Sequence, residues 1–108
     1  MANGVLGSAD LAATTYTEIY DVPNDNFAVV TISICNKNST PVTVRLALAK
    51  PAQALPQADD YIEYETEILP NGVLERTGVV LEADRKVFAR SSATQTTVVV
   101  YGIETSTA

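Results

Sequence analysis

The chain has 108 residues, the size of one domain, with 46% hydrophobic and 19% charged residues: enough apolar matter for a packed core and too little charge for a disordered chain. Thirteen acidic residues against seven basic give a net charge of −6, which opposes the phosphate neutralisation on which nucleic-acid binding rests and disfavours anionic membranes as partners. Histidine is absent and Cys35 is the single cysteine. The usual general base of nucleophilic catalysis, an internal disulfide and a thiolate metal cluster therefore all lack their residues, and neither an enzyme nor a cofactor is expected.

Residues 1–14 are small and rich in Gly and Ala, with Val5, Leu6 and Leu11 as scattered apolar points. They read as an extended N-terminal arm rather than a strand. Either the terminus frays, or Val5, Leu6 and Leu11 make oligomer or lattice contacts outside the domain. No basic region or long apolar run marks a signal peptide or a membrane span, so synthesis in a cytoplasm is expected.

From residue 15 onward the chain alternates apolar and polar side chains with period two, the mark of half-buried strands. The first predicted strand covers residues 15–22 and stops at Pro23-Asn24-Asp25-Asn26, where proline cannot continue a ladder. Residues 27–35 form the second, with Ala28, Val30, Ile32 and Ile34 on one face and Val29, Thr31, Ser33 and Cys35 on the other. Cys35 reads as an ordinary buried small hydrophobe in that strand. The polar link Asn36-Lys37-Asn38-Ser39-Thr40 leads to a third strand over residues 42–49, and these two strands are predicted to form a hairpin. Asn38-Ser39-Thr40 matches a glycosylation sequon but reads as a plain turn.

Residues 50–59, with Pro51 and Pro56, form the longest irregular stretch and the expected crossover between sheets. In the strand that follows, over residues 60–68, Ile62, Tyr64, Thr66 and Ile68 share one side and Tyr61, Glu63, Glu65 and Glu67 the other. Leu69-Pro70-Asn71-Gly72 is a turn, and Gly78 breaks the phase of residues 73–81, as a bulge or a bend would. Strands over 85–91 and 96–103 complete the chain, the last with Val98, Val99 and Val100 in a row, as in a strand covered on both faces. The predicted fold is all-β: a single antiparallel sandwich, jelly-roll or Ig-like, of seven or eight strands over residues 15–104, with a tail at 105–108. Val30, Ile32, Ile34, Val44, Leu46 and Val99 are its expected core.

The carboxylates Asp59, Asp60, Glu63, Glu65 and Glu67 crowd one segment. They read as a solvated strand face with Arg45, Arg76 or Arg90 beside it; a calcium site at Asp59 and Asp60 and an acidic docking surface are the alternatives. Tyr16, Tyr20, Tyr61, Tyr64 and Tyr101 suit a core or an interface, or else a sugar-binding face.

Tyr20-Asp21-Val22-Pro23, the run from Ala28 to Asn36, the run from Val42 to Ala47, Tyr61-Ile62-Glu63-Tyr64, Ile68 to Gly72, Thr77 to Ala83 and Val98 to Glu104 together cover about residues 4–104. In order and spacing they resemble a group of small β-sandwich virion proteins of tailed bacteriophages, including cyanophages. Members of the group carry Ala-Gly after Val-Pro and Gly-Asp after Leu-x-Ala; here Asn24-Asp25 and Ala83-Asp84 stand in those turns. The resemblance implies a non-enzymatic virion protein, made in the host bacterial cytoplasm. It would be a capsid decoration (cement) protein forming a homo-oligomer, a trimer on a local threefold axis, against the major capsid protein. The alternative is a tail or tail-fibre accessory module that contacts tail proteins and binds a host receptor or glycan.

Overall fold

Period-two alternation is realised in eight strands, and the computed structural model describes residues 3–107. The strands are β1 (Asn3–Leu11), β2 (Thr17–Asp21), β3 (Asn26–Asn36), β4 (Val42–Ala49), β5 (Tyr61–Ile68), β6 (Val73–Leu81), β7 (Lys86–Ser91) and β8 (Thr96–Ser106). They form two four-stranded sheets, the first in the order β1-β8-β3-β6 and the second β2-β7-β4-β5, with every ladder antiparallel. First pairs with last, second with seventh, third with sixth and fourth with fifth. A long hairpin folded over on itself in this way is a jelly roll.

That order corrects two expected connections. β3 and β4 do not form a hairpin: the link after Asn36 carries the chain from the first sheet to the second. Residues 50–59, expected as a crossover, instead lie in the link between β4 and β5, which are hydrogen-bonded neighbours. Every connection except β4–β5 changes sheets. Buried Asn36 shows how the crossovers are held, since its side-chain amide donates to the carbonyls of Thr40, Ile68 and Leu69 at 3.0, 3.1 and 3.2 Å. One side chain thus staples the β3–β4 link to the β5–β6 link at one end of the sandwich. Asn38 serves the same end, donating from its amide to the carbonyl of Thr94 at 2.7 Å.

The N-terminal arm is likewise corrected. Residues 3–11 are β1, an edge strand paired with β8, so the domain begins by Asn3 rather than residue 15; residues 1 and 2 lie outside the described residues. The register shifts between Val5 and Gly7, leaving Leu6 as an extra residue against Val100. This bulge brings Leu6 to pack on the core beside Ala9, while Leu11 is 2% exposed within it. Gly7 makes the close approach to β2 possible, because a Cβ there would lie 2.2 Å from the Ile19 carbonyl oxygen. At the other terminus β8 runs on to Ser106, beyond the strand end expected at 103.

The core lies between the sheets, where Val22, Val30, Ile32, Ile34, Val44, Leu46, Leu81, Val98 and Val100 are almost wholly excluded from water. Val99, expected among them, points outward and is half-buried. Cys35 is half-buried on the same outer face. Gly78, at a φ of 66°, sits where the β3–β6 register slips, so of the bulge or bend expected there the strand has a bulge.

Candidate functional site

The two outer faces of the sandwich differ in chemistry. On the first sheet, Ile103, Val29 and Val80 stand opposite one another across β8, β3 and β6, and Tyr101 lies opposite Val5 on the adjoining row. Val5, Val80, Ile103 and Tyr101 are 67%, 67%, 50% and 37% exposed. Of the side chains that the register turns outward on these four strands, only Asp10 and Glu75 are charged. Both are engaged: Lys37 lies 3.3 Å from Asp10, and the Tyr101 hydroxyl donates to Glu75 at 3.2 Å. The result is a continuous apolar strip on a solvent face. Of the three contact residues expected from the sequence, Val5 belongs to this strip, whereas Leu6 and Leu11 pack into the chain's own core.

The second sheet carries a cluster of rings and cations. Its base is Phe88, buried on the outer face over Ala47 and Ala49 and flanked by the half-buried rings of Tyr16 and Tyr61. The small alanines leave the space that these rings occupy. Arg45 and Arg90 stand directly opposite on β4 and β7. Like charges so placed repel, and the neighbours answer them: Arg45 Nε donates to Glu65 at 3.0 Å and Nη1 to the Tyr16 hydroxyl at 3.0 Å. The Arg45 guanidinium also lies 4.5 Å from the centre of the Tyr64 ring, and that of Arg90 lies 5.5 Å from the centre of Tyr16. Tyr61 and Tyr64 meet edge to face at 5.0 Å.

This cluster depends on a feature the alternation does not reveal. Between Val44 and Leu46 the register against β5 advances from Thr66 to Glu63, so Tyr64 and Glu65 together oppose Arg45. Glu65 takes a φ of 52° to do so, rare for a side-chain-bearing residue and found where the surroundings impose it. The bulge turns Tyr64 outward, away from the Ile62 side on which strict alternation places it, and leaves it 58% exposed. Glu63 moves off the outer face, to pair with Arg76 at 3.4 Å and accept from Thr66 at 2.7 Å. No glycine or proline in residues 61–68 signals this in the sequence.

Within the cluster Tyr16 and Tyr61 share a short hydroxyl–hydroxyl hydrogen bond. Burial pulls the Tyr16 phenol upward, but its bonds with Tyr61 and Arg45 and the charges of Arg45 and Arg90 outweigh this and hold its pKa below the ordinary 10. Burial and the bond to Tyr16 push Tyr61 up to about 12. The Tyr16 oxygen also accepts from Arg45. Two cavities adjoin the cluster. One of about 520 Å³ is walled by Pro56, Gln57, Ala58, Tyr61 and Tyr64. One of about 210 Å³ is walled by Thr14, Thr43, Arg45, Glu65, Arg90, Ser91 and Ser92.

The carboxylates at the β4–β5 loop have a different task from metal binding. Lys50 Nζ lies 2.6 Å from both Asp59 and Asp60, where a cation reading would put the ion. Buried Asp60 also accepts from the Gln57 backbone N–H at 2.8 Å and from Gln53 at 3.0 Å, which fixes the loop. Among the described residues no group of three His, Cys, Asp or Glu side chains is placed to hold a metal ion. No family model, curated protein or solved structure matches the chain.

Proposed function

We propose that this chain is a non-enzymatic structural protein of a bacteriophage virion, a homo-oligomer that decorates the capsid and packs through the outer face of its first sheet. The observation that carries the reading is the strip of Val5, Val29, Val80, Tyr101 and Ile103, whose two flanking carboxylates are already engaged. An apolar face with so little charge is complementary to a second copy of itself, since no salt bridge need be matched across it. The jelly roll recurs in viral capsid and lectin domains, which is compatible with the reading but does not carry it. The sequence resemblance to phage virion proteins supplies the virion.

The test is quantitative mass spectrometry of purified particles of the phage that encodes the chain. A copy number comparable to that of the major capsid protein is expected. A handful of copies per particle would move the protein to the tail, and its absence from particles would overturn the reading.

A further inference from the structure

We propose that the ring-and-cation cluster on the outer face of the second sheet binds a saccharide carrying a carboxylate, with a pyranose ring seated at Tyr64 and the carboxylate held at Arg90. The proposal stands on the geometry of β4, β5 and β7 and does not depend on the virion reading.

Three observations point to this ligand class. The first is shape: the larger cavity falls within the range of small-ligand sites, and a sugar's C–H face suits the exposed Tyr64 ring that walls it. Arg45 and Tyr61 both pack against that ring, the one by its guanidinium and the other in a perpendicular ring contact. The second is the polar rim. Gln57 borders the larger cavity, and the hydroxyls of Thr14, Thr43 and Ser92 border the smaller, which suits a ligand bearing several hydroxyl groups. Arg45 links the two, lying over the ring that walls one cavity and itself lining the other.

The third observation is charge. Most acidic groups around the cluster are engaged by other cations: Glu65 is held by Arg45, Asp59 and Asp60 by Lys50, and Glu18 by Lys86 at 3.8 Å. Arg90 forms no ion pair among the described residues; its guanidinium faces the Tyr16 ring and the smaller cavity. It also stands opposite Arg45, whose charge Glu65 answers, whereas no carboxylate is bonded to Arg90 among the described residues. A carboxylate fits the planar fork of a guanidinium in two parallel hydrogen bonds. Glu67, opposite Thr43 at the rim, and Glu65, which lines the smaller cavity, are acidic groups that oppose such a ligand.

Nuclear magnetic resonance titration of the 15N-labelled full chain tests this, with glucuronic acid, N-acetylneuraminic acid and trigalacturonic acid as probes. Galactose and galactotriose serve as neutral counterparts and acetate as a bare anion. The expected result is saturable shifts at Tyr61, Tyr64, Arg45 and Arg90 with at least one acidic saccharide, at a dissociation constant of the order of 1 mM or tighter, the scale for a ligand of this size. Tyr64→Ala should weaken binding roughly 5- to 10-fold, the worth of one aromatic contact. Arg90→Gln should abolish the preference for acidic over neutral sugar, and Glu67→Gln should tighten binding. Tyr64 and Glu67 are exposed and Arg90 is half-buried, and an unchanged amide spectrum elsewhere would show that the variants fold. Binding of no acidic saccharide, equal shifts with acetate alone, or affinities indifferent to Tyr64→Ala and Arg90→Gln would each overturn the proposal.

Discussion

Tyr20 on β2 donates its phenolic hydrogen to the Glu104 carboxylate on β8 across 2.5 Å, tying the two sheets together inside the core. Both residues are buried. Burial, together with the bond to Glu104 and that residue's charge, holds the Tyr20 hydroxyl well above the ordinary phenol range. An unfolded phenol ionises near pH 10, whereas the folded one keeps its proton, so the stability it contributes is complete below about pH 10 and falls as pH rises beyond it. Tyr61 acts in the same direction up to about 12, and Tyr16, whose pKa is lowered, acts against it. Thermal unfolding from about pH 9 to 11 should show falling stability, with a shallower fall in Tyr20→Phe. At neutral pH that variant should lose about 1–3 kcal/mol, because a buried carboxylate forfeits a donor. Equal slopes in the two proteins would contradict the account.

Asp60 gives the matching prediction in acid. Burial raises its pKa, but the bonds from Lys50, Gln57 and Gln53 prevail and hold it below the ordinary carboxylate value. A group so depressed contributes stability above its unfolded pKa, near 4, and loses it as pH falls through the folded one. Asp60→Asn should therefore lower stability at neutral pH and flatten the acid limb of the unfolding profile. EDTA should leave the melting temperature unchanged, since an ammonium group bridges the two aspartates. A fall of several degrees in EDTA would restore the calcium reading.

Ile32, wholly buried between the sheets, tests the core. Ile32→Ala should cost about 2–5 kcal/mol by lost burial and a residual cavity. Denaturant titration measures this, and a loss below about 0.5 kcal/mol, the scale of a surface change, would refute the placement.

Deleting residues 2–12 separates a strand from an arm. Removing β1 strips Leu6, Ala9 and Leu11 from the core and uncovers the edge of β8. The truncated chain should be markedly less stable or fail to fold. Gly7→Ala should act in the same direction through its clash with Ile19. A truncated chain that melts like the whole protein would show that the segment is dispensable to the domain.

The strands from β2 to β8 were legible because each sets apolar against polar residues in period two, a pattern written by the boundary between core and water. Which strands pair was not. Link length misleads here: the short polar link after Asn36 arches between sheets, whereas the longest irregular stretch, with Pro51 and Pro56, joins the hydrogen-bonded neighbours β4 and β5. The staple at Asn36 acts through carbonyls remote in sequence, and backbone acceptors leave no trace in residue type. β1 escaped because its bulge at Leu6 and the inward glycine at position 7 break the alternation. The ring-and-cation cluster escaped for a related reason. Alternation places Tyr64 beside Ile62, and only the positive φ of Glu65, at a residue without glycine's freedom, turns it outward to Arg45.

Sedimentation velocity tests the central claim most directly, comparing the wild type with a double variant, Val80→Asp and Ile103→Asp, on the exposed strip. Both side chains face solvent within one chain, so the variant should keep its circular dichroism and unfold as a single folded domain. The wild type should sediment as an oligomer, with three chains expected, and the variant as one chain, because two carboxylates would be buried unpaired in the assembled face. A wild type that sediments as a single chain at every concentration, or a variant that assembles as the wild type does, would contradict the account.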